Sequence, residues 1–496
     1  MIFSFFFENL LLILCLTPLI GVFLLFFVPS EEKTICLNIT LFISCLSFLL
    51  SLLLWILFDS STSFFQFSKI LFYFPNSNFY YFIGIDGISL FFILLTTFLV
   101  TLCILVSWQS VHFFLKEYLI AFLILEFCLL QVFCVLDLLL FYIFFESVLI
   151  PMFLIVGVWG SRSRKIRAAY QFFLYTLIGS LLMLLGIIFI FFSVGSFDVQ
   201  ILTSINFPFY VQLTLWLTFF ASFAVKIPMV PFHIWLPEAH AEAPTSGSVI
   251  LAGVLLKLGG YGFLRFSLPL FPLASIYFTP IVFLLSLIAI IYASLTTLRQ
   301  IDLKKIIAYS SVSHMGFVTI GIFSFNTQGV EGSIILMLSH GVVSSALFLC
   351  IGILYDRYKT RILKYFGGLV SVMPIFILFF LFFSFSNIAF PGTSSFIGEI
   401  LVLLGCVKIN LVLTFFMTFG VILSAGYSIW LLNRVSFGGL KLEYFTVYQD
   451  VSRREFWILV PLVLTIIWMG LHPTTFTTDV HFSVLNLLEH LSNAKL

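Results

Sequence analysis

Apolar residues run along this chain in blocks of about 20, the length that crosses the hydrocarbon of a bilayer. The blocks are parted by short polar stretches and by Pro and Gly. The pattern predicts about 14 helices, over 8–29, 36–58, 83–107, 113–134, 135–157, 168–194, 211–232, 246–266, 276–297, 306–324, 332–354, 369–405, 409–432 and 456–472. Two of these carry their own interruption. Segment 211–232 contains Pro228 and Pro231, and segment 369–405 is too long for one straight span and contains Pro391-Gly392, so both are expected to be broken. Segment 59–82 and the tail after Leu471 read as loops or interfacial pieces. The fold class is therefore an all-α membrane protein with no soluble domain.

Basic residues test the count. Loops after odd-numbered segments hold Lys33, Lys116, Arg162, Arg164, Lys165, Arg167, Arg299, Lys304, Lys305, Arg357, Lys359, Arg361, Lys364, Arg434, Lys441, Arg453 and Arg454, whereas loops after even-numbered segments hold only Lys69, Arg265 and Lys408. One miscounted helix would destroy this asymmetry. By the positive-inside rule the basic loops face the cytoplasm or matrix, and both termini face the other way.

The alternation also exposes an internal order. Segments four to eight and nine to thirteen form two consecutive blocks of five, and an odd number of crossings inverts the second relative to the first. In each block the fourth helix is the one broken by Pro. Paired breaks in inverted halves point to a transport site near the midplane. The domain reading is then 1–112 for the first three helices, 113–266 and 276–432 for the two inverted repeats, and 433–496 for the last helix and tail.

Composition agrees: 62% of the 496 residues are hydrophobic and 9% are charged, where a soluble protein needs roughly a quarter charged. The opening MIFSFFFENLLLILCL has no basic n-region and reads as a retained first helix, not a cleaved signal. The 67 Phe suggest nucleotide bias in an AT-rich genome, as in organelles. The 8 Cys are scattered, with no C-x-x-C and no Cys/His cluster, which argues against zinc or iron–sulfur centres.

The chemistry lies in the charges that remain inside the membrane. Glu146, Lys226, Lys257 and Glu399 fall near mid-span, where each costs on the order of 2.5–3.5 kcal/mol on insertion scales. Glu126 and Asp137 are less central; His314, His340 and, just past the first break, His233 add titratable groups. A Glu146–Lys226 pair that merely ties two helices is the bland reading, but a buried pair is rarely better than its apolar replacement. The functional reading is a proton relay. A buried lysine keeps its proton while a carboxylate stands beside it and gives it up when the carboxylate moves away. For each histidine alone, plain helix–helix hydrogen bonding competes with a relay role. The broken helices free backbone carbonyls around Lys226 and ahead of Glu399. Glu238, His240 and Glu242, between segments seven and eight, are expected at a proton inlet on the basic side, with ordinary loop solvation as the alternative.

At these residues a family becomes visible. GIDGISLFF (84–92), FESVLIPMF (145–153), AVKIPMVPFHIWLPEAHAEAP (224–244), GSVILAGVLLKLGGYGFLRF (247–266), LTTLRQIDLKKIIAYSSVSHMGF (295–317), LMLSHG (336–341) and FPGTSSFIGE (390–399) closely resemble the chain 4 family of NADH–ubiquinone oxidoreductases. The likeness runs in order over nearly the whole chain. The broader family includes subunits 2 and 5 of the same respiratory complex I and Mrp-type cation/proton antiporters. Glu399 resembles chain 4, since subunits 2 and 5 typically carry Lys there, and the chain ends without the long lateral helix of subunit 5. HIWLPEAHAEAPT and LRQIDLKKIIAYSS look like the mitochondrial versions of plants and algae.

The resemblance implies a proton-pumping, antiporter-like subunit of the membrane arm, a multi-pass protein of the mitochondrial inner membrane among other complex I subunits and lipids. NADH, FMN, iron–sulfur clusters and ubiquinone would be bound by other subunits, with none in this chain, and no nucleic acid is involved. Glu146 would be the pairing carboxylate, Lys226 the modulated lysine, Lys257 the connecting lysine and Glu399 the station near the exit, with His233, His314 and His340 on the same polar axis. Two other readings compete: a stand-alone cation/proton antiporter using the same constellation, and a structural anchor, which four mid-span charges fit poorly.

Overall fold

A computed structural model describes residues 9–74, 79–441, 443–445 and 447–493. Residues 1–8, on which the retained-first-helix reading rests in part, lie outside the described residues. The helices of more than five residues are α1 Leu10–Phe27, α2 Lys33–Leu57, α3 Gly87–Ser110, α4 Leu115–Cys134, α5 Leu138–Trp159, α6 Lys165–Val194, α7 Phe209–Lys226, α8 Trp235–Glu242, α9 Thr245–Leu270, α10 Pro272–Arg299, α11 Leu303–Ile322, α12 Thr327–Tyr358, α13 Pro374–Asn387, α14 Ser394–Val407, α15 Leu411–Ser436, α16 Arg453–Leu471 and α17 Thr474–Asn493. Twelve of the described helices are long and apolar enough to cross a membrane. The other predicted segments are α11, whose Lys304, Lys305 and Ser-rich face lower its apolarity, and the half-helices α13 and α14.

Both expected breaks are present. Helix α7 stops at Lys226, and helix resumes only at Trp235, so Glu238, His240 and Glu242 lie on a second half-helix and not in a loop. Segment 369–405 divides into α13 and α14 around residues 388–393. The region 59–82, read as loop or interfacial, holds an antiparallel hairpin, β1 Gln66–Phe74 with β2 Phe79–Ile85. The tail after Leu471 forms α17, whose residues alternate between a packed and an exposed face.

Two compact units make up the chain: residues 1–226, 257–278 and 478–496, and residues 227–256 and 279–477. In the first unit, loops after odd-numbered crossings meet at one end. Lys33 Nζ donates to the His112 carbonyl at 3.3 Å, Lys116 Nζ to the Val28 carbonyl at 2.7 Å, and Trp159 Nε1 to the Phe113 carbonyl at 2.8 Å. The other end is tied as a short irregular ladder. Leu136 N donates to Phe82 O at 3.0 Å, Val199 N to Leu136 O at 3.1 Å and Leu138 N to Phe197 O at 2.9 Å. There α17 docks: Trp55 Nε1 donates to Asp479 at 2.7 Å, Gly87 N to Ser483 Oγ at 3.1 Å, and His490 Nε2 lies 2.9 Å from the Thr203 carbonyl.

In the second unit the loops after α10, α12 and α15 likewise share an end. Leu303 N donates to Arg361 O at 2.9 Å, Leu363 N to Ile301 O at 2.9 Å and Gly368 N to Phe437 O at 3.1 Å. Its centre is α12, whose most apolar stretch is wholly buried. Lipid alone does not pack helices, so close approach at small residues does much of the work. In the first unit a Cβ at Gly262 would stand 2.4 Å from the Phe223 ring. Gly262→Leu is therefore expected to cost about 1–3 kcal/mol of overpacking, visible as reduced chain in purified membranes; wild-type levels would show that α7 and α9 can part without penalty.

Candidate functional site

In the first unit α5 carries Glu146 and α7 ends on Lys226. A cation is favoured at a helix C-terminus, where the last carbonyls are unpaired. Lys226 is 2% exposed and its Nζ lies 4.5 Å from the centroid of the Phe145 ring. Neither this Nζ nor Glu146 Oε1 has a hydrogen-bond partner among the described residues. The two are near enough to act on each other electrostatically, with Ser180 of α6 beside the carboxylate. They do not form a contact ion pair: none of the described ion pairs within 4.0 Å joins them. A helix staple would show a closed, hydrogen-bonded pair. This open one suits a group whose charge is modulated from nearby.

Lys257 is fully buried on α9. This helix widens into π turns at Leu251–Leu255 and Phe263–Ser267, and the α-helical stretch between them, Leu256–Gly262, holds Lys257. Such single-turn widenings are rare and collect at functional sites. No residue type marks them, so sequence reasoning had no signal for them.

The second unit brings three predicted residues together. His314 Nδ1 of α11 lies 3.2 Å from Glu399 Oε1 of α14, and the His314 and His340 rings have centroids 5.7 Å apart. Exposures of 3–4% place all three inside the protein. Glu399 sits in the second turn of the half-helix that follows the break. His233, within the first break, lies beside the rings of Tyr292 and Tyr309 at 5.9 and 6.3 Å. Of the less central acids, Glu126 accepts a 2.6 Å bond from Ser47, and Asp137 caps α5 by accepting from Leu139 N and Leu140 N.

Some charges assigned to loops by the sequence are buried. Arg361 is fully buried, 3.7 Å from both Glu242 and Asp302. Lys304 is buried and donates to the Ala243 carbonyl at 2.7 Å, while Lys305 pairs with Glu238 at 2.5 Å. Of the residues expected at an inlet, Glu238 is thus held by α11 and Glu242 by the loop after α12, while the His240 ring stacks on Phe348 of α12 at 4.7 Å. Arg265 is no loop residue either: it lies within α9 and pairs with Asp86 at 2.5 Å. Their separation of 179 residues hid the pair from a reading along the chain.

Residues 136–425 match the family described as NADH:quinone oxidoreductase/Mrp antiporter, TM. The chain belongs to this family. Glu146, Lys226, Lys257 and Glu399 all fall inside the matched stretch. Among curated relatives, NADH-ubiquinone oxidoreductase chain 4 of Chondrus crispus is 71% identical over 98% of this chain and 99% of its own length. The protein of the same name from Marchantia polymorpha is 60% identical over 96% of each. Among solved structures, a chain of respiratory complex I from Thermus thermophilus with bound NADH aligns with a TM-score of 0.88 and 29% identity, covering 97% of this chain and 99% of that one. A chain of the Mrp complex from Dietzia sp. aligns with a TM-score of 0.84 at 17% identity, over 98% and 99%, a likeness of fold. The stretch that matches the NADH:quinone oxidoreductase/Mrp antiporter family thus contains buried Lys226, Lys257, His314, His340 and Glu399.

Proposed function

We propose that this chain is a chain 4-type subunit of the membrane arm of an NADH–ubiquinone oxidoreductase and that it translocates protons coupled to electron transfer from NADH to ubiquinone. The observation that carries the reading is two titratable constellations, buried Lys226 with half-buried Glu146, and buried His314 with Glu399 and His340, each beside a helix break. In this reading Glu146 modulates Lys226, Lys257 passes the proton on, and His314, His340 and Glu399 form the exit side, with His233 serving the first break. Helices α4–α9 and α10–α15 act as two inverted repeats, residues 113–266 and 276–432, flanked by 1–112 and 433–496. NADH, FMN, iron–sulfur clusters and ubiquinone reside on other subunits. The chain spans the mitochondrial inner membrane.

Native gel electrophoresis tests the assignment: the chain should run within a large NADH-oxidising assembly. Its recovery in an assembly that exchanges cations for protons without oxidising NADH would instead make it an antiporter subunit. The basic loops are placed in the matrix and both termini in the intermembrane space. In sealed mitoplasts, protease added outside should therefore leave the Arg162–Arg167 and Arg357–Lys364 loops intact. Cleavage of either from outside would overturn this topology.

A further inference from the structure

On α9 of the first unit, Lys257, Tyr261 and Arg265 follow at intervals of four, spacing that stacks side chains along one face. The lower part of this line is closed. Arg265 Nε donates to the Tyr261 hydroxyl at 3.2 Å, and Tyr261 donates to the Phe133 carbonyl at 3.1 Å. Arg265 Nη2 holds Asp86 Oδ1 at 2.5 Å, and Asp86 also caps α3 by accepting from Ser89 N at 3.0 Å. Both charged side chains are buried, at 8% and 6% exposure. Phe65 lies over the guanidinium, 4.9 Å from its carbon, and Ser483 of α17 bonds to the next backbone N–H, that of Gly87. A full ion pair here is expensive to bury, and it stands between the connecting lysine and the end of the unit occupied by the hairpin and α17.

A fixed arginine excludes protons from narrow membrane passages, whereas a buried carboxylate without its cation accepts them. We propose that Arg265 is a seal: by holding Asp86 in a salt bridge it denies protons at Lys257 a shortcut out through this end of α9, so that they continue to the other stations. The inference rests on the proton-translocation reading above. A unit charge about 12 Å from Lys257, eight residues at 1.5 Å each, changes proton occupancy about tenfold at an effective dielectric of 20.

The test uses the purified complex in liposomes with an internal pH indicator. It reads passive proton entry without NADH, and protons moved per NADH oxidised. Arg265→Met should raise passive entry about tenfold and lower protons per NADH while NADH oxidation continues. Arg265→Lys should stay tight. Asp86→Asn should also stay tight, because the arginine remains and the acceptor is gone, and the double variant Arg265→Met/Asp86→Asn should be tight for the second reason. A mere staple of α3 to α9 predicts the reverse pattern, with Asp86→Asn as damaging as Arg265→Met; that result, or a tight Arg265→Met complex that pumps normally, overturns the seal. If Arg265→Met yields no assembled complex, Arg265→Gln carries the same expectation, and failure of both to assemble would assign the pair to folding and overturn the seal. A wild-type complex that oxidises NADH and moves no protons would instead sink the translocation reading itself.

Discussion

Lys226→Met is expected to cut NADH–ubiquinone turnover and proton uptake by about tenfold or more in a complex that still assembles, a loss equal to one or more pKa units of lost proton affinity. Methionine fills a similar volume and can pack against Phe145 as the lysine stem does, so the fold is spared and only the proposed proton carrier is removed. Glu146→Gln should produce much of the same loss, because an amide cannot change the charge felt at Lys226, whereas Glu146→Asp should retain a substantial fraction. The open geometry sharpens this expectation. Where a pair is already apart, an amide at Glu146 breaks no bond to Lys226, so a purely structural role predicts little change. Assembled Glu146→Gln complex with normal turnover and pumping, checked by native gel and proton uptake per NADH, would refute the relay.

Glu399→Gln is expected to have an effect of comparable size at the other constellation. Moving one charge against the membrane potential requires about 2.3 kcal/mol per 100 mV, and one pKa unit is about 1.4 kcal/mol. Changes of about two units at each station therefore suffice. Glu399 meets His314 at 3.2 Å, close enough for a proton to pass between them as the partners move. Removing its titratable group should depress pumping and electron transfer together, as should Lys257→Ala. Glu399→Lys should be tolerated better than Glu399→Gln because it keeps a group that binds a proton, although it places a cation against His314. If Glu399→Gln pumps like the wild type, the exit station lies elsewhere.

Much of this was legible in the sequence because a bilayer leaves little choice. Backbone polar groups must be satisfied within each crossing, so apolar length and Pro gave the helices and both breaks, and the breaks led to Lys226 and Glu399. The hairpin fell in a stretch read as loop or interfacial, because FSKILFYF and FYYFIGI are too short to cross a bilayer and show no strand-like alternation of apolar and polar residues. The π turns of α9 have no residue signature. Asp86–Arg265 and Arg361 with Glu242 and Asp302 are long-range partnerships, and a tally of basic loops counts such residues without seeing that they are buried.

The docking of α17 sets an order of events during synthesis. Trp55 and Asp479 lie 424 residues apart in the chain, and the Gly87 N–H waits 396 residues for Ser483. A ribosome adding about 5–20 residues per second leaves the ends of α2 and α3 uncovered for tens of seconds after they enter the bilayer. Until α17 arrives, Trp55 Nε1 and the Gly87 N–H lack the partners they have in the folded chain. A message cut short before codon 474 would yield every crossing and still leave that surface without its cover.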